Sequence, residues 1–208
     1  MVGSGNHKLL RRALILAWFI LVWDIVEGVV AVTAGLAARS TALVGFGIDS
    51  GIEVFAAAVV IWQLRRPTAR SEHLALRLIA ISFFALAAYV AFESARDLLL
   101  AERPDASPVG IALNVVALLV MVPVAVAQRR TGRAMRNEVV IAQSSETWLS
   151  NLLSVSLLVG LGLNALAGLW WADPVVALIV AALAAYSGWV AWTEAGGGRE
   201  GSSDWADV

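Results

Sequence analysis

The sequence predicts an all-α integral membrane protein of six transmembrane helices, with both termini in the cytoplasm. Three observations lead there. Six apolar runs each reach roughly the 20 residues needed to cross a ~30 Å hydrocarbon core. Of the 208 residues, 60% are hydrophobic and 15% charged, and mean hydropathy is +0.78, far from the balance of a soluble domain. Most of the cations, 12 of the 15 Lys and Arg, fall on one side of an alternating six-span arrangement, and the positive-inside rule makes that side the cytoplasm.

The first run, residues 13–36, follows His7, Lys8, Arg11 and Arg12. It is too long for a signal-peptide core and lacks a cleavage site, so it is expected to remain as an anchor. It carries Asp24 and Glu27, one turn apart. The second run, 41–64, carries Asp49 and Glu53; a spacing of four puts both carboxylates on one helical face. The third, 74–100, holds Glu93, Arg96 and Asp97 near its end, which reads as an interfacial charge group. The fourth, 109–127, has only Asn114 deep inside. The fifth, 147–171, begins Glu146-Thr147-Trp148-Leu149-Ser150-Asn151 and continues with Ser154, Ser156 and Asn164. The sixth, 174–192, starts on Pro174, where a missing N–H costs nothing, and is nearly featureless until Ser187. Trp170, Trp171 and Trp192 fit interfacial anchors.

Residues 65–77 and 128–138 read as the two polar connections, holding Arg65, Arg66, Arg70 and Arg77, and Arg129, Arg130, Arg133 and Arg136. The opposite side holds only Arg39, Arg96 and Arg103. Residues 1–193 therefore read as one transmembrane domain, and 194–208 as a short, disordered cytoplasmic tail rich in Gly, Ser and acids, including Arg199. Without cysteine, disulfides and thiolate metal sites are excluded. A net charge of −1 makes no case for nucleic acid. No nucleophile–base set, phosphate loop or dinucleotide fingerprint is present, so neither an enzyme nor a permanently bound cofactor is expected. His7 and His73 read as solvated.

The chemistry lies in the intramembrane acids. One carboxylate at a helix centre costs about 2.5–3.5 kcal/mol on insertion scales, and two neighbours repel. Asp49 and Glu53 supply hard oxygen ligands, and a divalent cation between them would neutralise both. Zinc accepts carboxylates, and manganese and magnesium prefer oxygen. Glu27 can reach a similar depth, one hairpin away. On the fifth run Thr147 and Asn151, or Glu146 and Ser150, share a face, with Asn151 the preferred ligand among them. The blander reading makes each of these a packing hydrogen bond; Ser, Thr and Asn in membranes more often join helices, at about 0.6 kcal/mol each. Gly47 and Gly51 form a small-xxx-small pair for close helix approach, and Gly160, Gly162 and Gly168 suggest a tight crossing. The polar seam thus runs through the first, second and fifth runs.

The stretch STALVGFGIDSGIE over residues 40–53 resembles the second transmembrane helix of the cation diffusion facilitator (cation efflux) family, where a Ser-x-Ala-Leu lead precedes an Asp-x-x-x-Asp metal pair. Here the pair is Asp49 and Glu53. The stretch NALAGLWWADPVVALIV over 164–180 resembles that family's fifth-to-sixth helix connection. The resemblance covers about residues 10–193 and implies a cation-diffusion-facilitator-like bundle, in the truncated branch without the cytoplasmic metal-binding domain. The family's helix-five ligands, His-x-x-x-Asp, fall at Thr147 and Asn151, neither of them ionisable, with Glu146 the nearest acid.

The expected function is secondary transport: export of a divalent metal, of the zinc or manganese class, from the cytoplasm by proton antiport. The metal is substrate, bound by Asp49 and Glu53 with Glu27, Asn151, Thr147 and Glu146 as further candidates. The resemblance implies a homodimer, and Ala, Leu and Arg usage suggests a bacterial inner membrane. The alternative is a non-transporting partner or regulator on the same fold, which the neutral fifth helix favours. A third reading, transport of an organic cation beside Trp23 and Trp148, needs an aromatic-lined cavity.

Overall fold

A helix continues for as long as its own backbone can bond, whatever solvent surrounds it, so apolar runs mark the lipid and caps mark the ends. The computed structural model describes residues 3–38, 41–100 and 108–197. Six α-helices cover them: α1 Gly3–Ala38, α2 Thr41–Arg65, α3 Ala69–Leu100, α4 Pro108–Met135, α5 Glu138–Ala167 and α6 Ala172–Gly197. All six are long and apolar enough to cross a membrane, and the chain is an integral membrane protein. The sequence boundaries need correcting at the basic segments. Most of 65–77 and 128–138 is helical, and the true breaks are only 66–68 and 136–137. Likewise α6 runs on past residue 193 to Gly197. The tail beyond it, with Arg199, and also Arg39, Ser40 and Arg103, lies outside the described residues.

Local chemistry sets those breaks. Pro67 cannot continue α2. The Thr68 hydroxyl then accepts from the Ser71 N–H at 3.1 Å while the Ser71 hydroxyl accepts from the Thr68 N–H at 3.0 Å, a reciprocal cap that starts α3. After α4, Arg136 turns left-handed at φ 54°. Asn137 follows as the extended N-cap of α5, its side chain accepting from the Val140 N–H at 3.1 Å. Its amide also donates to Gln63 Oε1 at 3.2 Å, tying the α4–α5 turn to the end of α2. Gly168 ends α5 at φ 67°, a left-handed cap open to glycine at no steric cost.

The helices α1, α2, α4 and α5 contact one another in a ring, and α3 pairs with α6 against α2 and α5. Phe83, Ile79, Leu86, Val60, Val139 and Val140 fill the space between α2, α3, α5 and α6. A smaller cluster of Ile20, Ala57 and Met121 joins α1, α2 and α4. The α1–α2 crossing depends on Gly47: a Cβ there would fall 2.5 Å from Val32 Cγ2 and 3.0 Å from the Gly28 carbonyl. Its expected partner Gly51 faces open space, as does Gly162. The crossing is therefore Gly28 on Gly47, because the partner helix lies on only one side of α2. Of the three later glycines, Gly160 alone meets a neighbour, with a would-be Cβ 2.4 Å from Asp173 Cβ.

The outer surface is apolar. Ile15, Val22, Val26 and Val29 on α1, Leu119 on α4 and Ile179 on α6 are all exposed; such a girdle is stable against acyl chains and unstable in water. Six alternating spans bring the start of α1 and the end of α6 to one end of the bundle. There the Arg65 guanidinium lies 5.4 Å from the Trp18 ring and that of Arg77 5.6 Å from Trp192, the amphipathic pairing of a membrane boundary.

Candidate functional site

The 3.6-residue period of α2 turns Asp49 and Glu53 inward together, and each is buried. The Ser150 hydroxyl of α5 donates to Asp49 Oδ2 at 2.8 Å. The hydroxyls of Ser150 and Thr147 also face the Glu53 carboxylate. Asp49 Oδ1 and Glu53 Oε2 have no hydrogen-bond partner. Two acids of one helix thus meet two hydroxyls of another, with acceptor capacity left over.

Three more acids surround this pair. Glu27 on α1 is buried, and one oxygen accepts from the Trp23 indole N–H at 3.1 Å while the other is unpartnered. Trp23 therefore serves as a hydrogen-bond donor to an acid. Asp24 is only 1% exposed, has neither oxygen bonded, and feels the charges of Glu53, Glu27, Asp49 and Glu146. Glu146 on α5 is fully buried with both oxygens unbonded. Ser82 of α3 faces it, but that hydroxyl donates to the Ile79 carbonyl at 2.7 Å. Among the described residues no Lys, Arg or His forms an ion pair with any of the five. Burying so much uncompensated acid costs several kcal/mol, and such sites mark ion pathways.

Every predicted site residue is buried in the seam of α1, α2 and α5, but in different roles. Asp49, Glu53 and Thr147 come together, with Glu27 and Glu146 around them. Thr147 also donates to the Gln143 carbonyl at 3.4 Å. Asn151, the preferred helix-five ligand, is buried with its Nδ2 unpartnered; the group that bonds Asp49 is its neighbour Ser150. The signal for Ser150 lay in its i, i+4 relation to Glu146, the second of the two faces. Asp24 is the other residue underweighted, since its spacing of three from Glu27 puts both on one side of α1. Among the described residues no three Asp, Glu or His side chains converge tightly enough to enclose one ion.

A cavity of about 160 Å³ reaches Asp49 from the end opposite the termini. At the terminus end, Gln63, Gln128 and Gln143 are buried. Gln128 donates to Gln143 and Asn137 to Gln63, so neutral amides lock α2, α4 and α5 together there. The charge group Glu93, Arg96, Asp97 was expected to stand at the interface. Glu93 is held by Arg96 at 3.5 Å, but Glu93 and Asp97 line the cavity, because α3 turns that face toward α4 and α6 rather than toward lipid.

No curated protein matches the sequence significantly. The sequence model of the cation efflux transmembrane domain matches residues 17–195, and so takes in all six helices, the acid pair and the Ser150 contact. This chain therefore belongs to the cation efflux family and is a cation efflux transporter of the membrane.

Proposed function

We propose that the protein exports a divalent cation of the zinc or manganese class from the cytoplasm in exchange for protons. The observation that carries this is the Asp49 carboxylate: bonded across to α5 on one oxygen, open on the other, buried within an apolar helix long enough to span the membrane and reached by a cavity. In this reading Asp49 and Glu53 supply two anionic ligands, and Ser150 and Thr147 supply neutral oxygens. An oxygen-only donor set favours manganese over zinc, which prefers nitrogen and sulfur.

The cluster of Arg65, Arg66, Arg70, Arg77, Arg129, Arg130, Arg133 and Arg136 supports a cytoplasmic position for both termini. The cavity then faces outward and the amide lock faces inward. Opening that lock while closing the cavity would present the same acids to the cytoplasm, the alternating access expected of paired bundles. When the ion leaves, charge is uncovered in a medium of low dielectric, and protons are the available compensation. Glu27, Asp24 and Glu146 lie close enough to share them. Within this reading the protein is a homodimer in a bacterial plasma membrane, which light scattering on the detergent-solubilised protein checks.

The test is Mn²⁺ and Zn²⁺ transport in vesicles carrying the purified protein, with an imposed proton gradient. Asp49→Asn keeps the size and the Ser150 contact while removing the charge, and is expected to lower transport at least ~100-fold; removing a single buried partner of a charge costs about 3–5 kcal/mol. Transport by Asp49→Asn at the wild-type rate would refute the proposed site.

A further inference from the structure

The cavity above Asp49 is lined by Tyr89, Glu93, Asp97, Asn114 and Asp173, side chains of α3, α4 and α6. Its volume of about 160 Å³ is room for several waters. Asn114 is 1% exposed, and its Nδ2 donates to the Gly110 carbonyl at 3.0 Å. A carbonyl can only accept, so that bond fixes which end of the amide is which. The free end, Oδ1, is a buried acceptor with no partner, on a side chain that faces the cavity. Leaving such an acceptor unsatisfied costs about 1–3 kcal/mol.

Asp173 is positioned with equal care. Its Oδ1 accepts from the Ser156 hydroxyl at 2.8 Å, and the absence of a side chain at Gly160 lets its Cβ approach α5. The cavity thus gathers the amide oxygen of Asn114, the carboxylates of Asp97, Asp173 and Glu93, the last already paired with Arg96, and the free oxygen of Asp49 at its floor. Acceptors outnumber donors, which is the pattern for a cation. The acids do not converge on a point, so they suit an ion that keeps part of its water, as hard divalent cations do. A bare chelate is the wrong geometry, and room for several waters suits an ion that keeps part of its shell.

We propose that this cavity is a second cation site, which takes a partly hydrated divalent ion between the Asp49–Glu53 pair and the outside, with Asn114 Oδ1 and the Asp173 carboxylate as its direct acceptors. The proposal rests on the reading that the transported ion is a divalent metal. The site receives the ion as it leaves the Asp49–Glu53 pair and supplies the water it must regain. Metal supplied from the outside fills the same site and slows export.

The experiment is calorimetric titration of the full chain in lipid nanodiscs with Mn²⁺ alone and with Zn²⁺ alone, with vesicle transport measured beside it. Wild type is expected to show two binding events. Glu53→Gln, whose side chain does not line the cavity, loses one and keeps the other. Asn114→Leu and Asp173→Asn each weaken that other event at least ~5-fold and leave the first in place. They also raise, by a similar factor, the outside metal concentration that halves export. Asp173→Asn keeps the size and the Ser156 contact, so it remains decisive where Asn114→Leu folds poorly. A single event or none in wild type, or a second event indifferent to both cavity variants, overturns the second site. Failure of the primary reading appears elsewhere, as wild-type transport by Asp49→Asn.

Discussion

The contact between Ser150 and Asp49 separates two ways of placing helix five. By family register, Thr147 and Asn151 face the acid pair; in the structure the direct bond comes from Ser150 at 2.8 Å. Ser150→Ala removes that donor and leaves Asp49 with both oxygens unpaired, since Oδ1 already lacks a partner. In water-soluble proteins a hydrogen bond to a charge is worth about 1.5–3 kcal/mol. Interhelical bonds in membranes average nearer 0.6 and reach about 1.7 kcal/mol, and the smaller scale applies at a helix crossing. At 1.4 kcal/mol per decade, the half-saturating metal concentration should rise roughly 3- to 16-fold, with maximal rate less affected. Asn151→Leu, similar in shape, has no bond from its Nδ2 to lose and should stay within about 2-fold. Both are read from dye-loaded vesicles over a range of Mn²⁺ and Zn²⁺ concentrations. If Ser150→Ala matches wild type while Asn151→Leu is inactive, the rotation of α5 seen here is not the transporting one, and the reasoning fails.

Two further predictions concern the frame that holds the site. Gly47→Ala should destabilise by about 1–3 kcal/mol, the usual cost of overpacking, because its Cβ meets Val32 and the Gly28 carbonyl; Gly51→Ala, with open space around it, should be neutral. Thermal melts in detergent compare the two, and equal melting temperatures would remove Gly47 from the α1–α2 crossing. Asn137→Ala should cost about 1 kcal/mol from the lost cap plus the bond to Gln63. It should also loosen the terminus end, seen as faster hydrogen exchange in the first turns of α5; unchanged exchange would deny the amide lock.

Helix number and the polar seam were legible because both are one-dimensional. A helix rises ~1.5 Å per residue, so an apolar run of fixed length declares a span without reference to neighbours. Asp24, Glu27, Asp49 and Glu53 stand out as acids in such runs, with Glu146 at the edge of one, and their penalty in lipid forces them inward wherever the helices lie. Helix ends at the basic segments were less legible, since Arg-rich turns such as 129–133 leave the lipid without leaving the helix. The cavity role of Glu93 and Asp97 was hidden for a related reason: an acid near a helix end satisfies the same pattern whether it meets water or a vestibule.

What required three dimensions was rotation. Glu146 with Ser150 and Thr147 with Asn151 lie on faces about 100° apart, one residue's turn of a helix with 3.6 residues per turn, and nothing in the local pattern prefers one face. The structure takes one residue from each, Ser150 and Thr147, a rotation that follows from how α4 and α5 meet, at Gly132 against Ile141 and at the Asn137 cap, and from Ser156 seated on Asp173. The same holds for Gly28 on Gly47 and for the free oxygen of Asn114, contacts between residues far apart in the chain. Span count follows from the energy of each segment in lipid, whereas ligand sets follow from packing among segments, which only the assembled bundle decides.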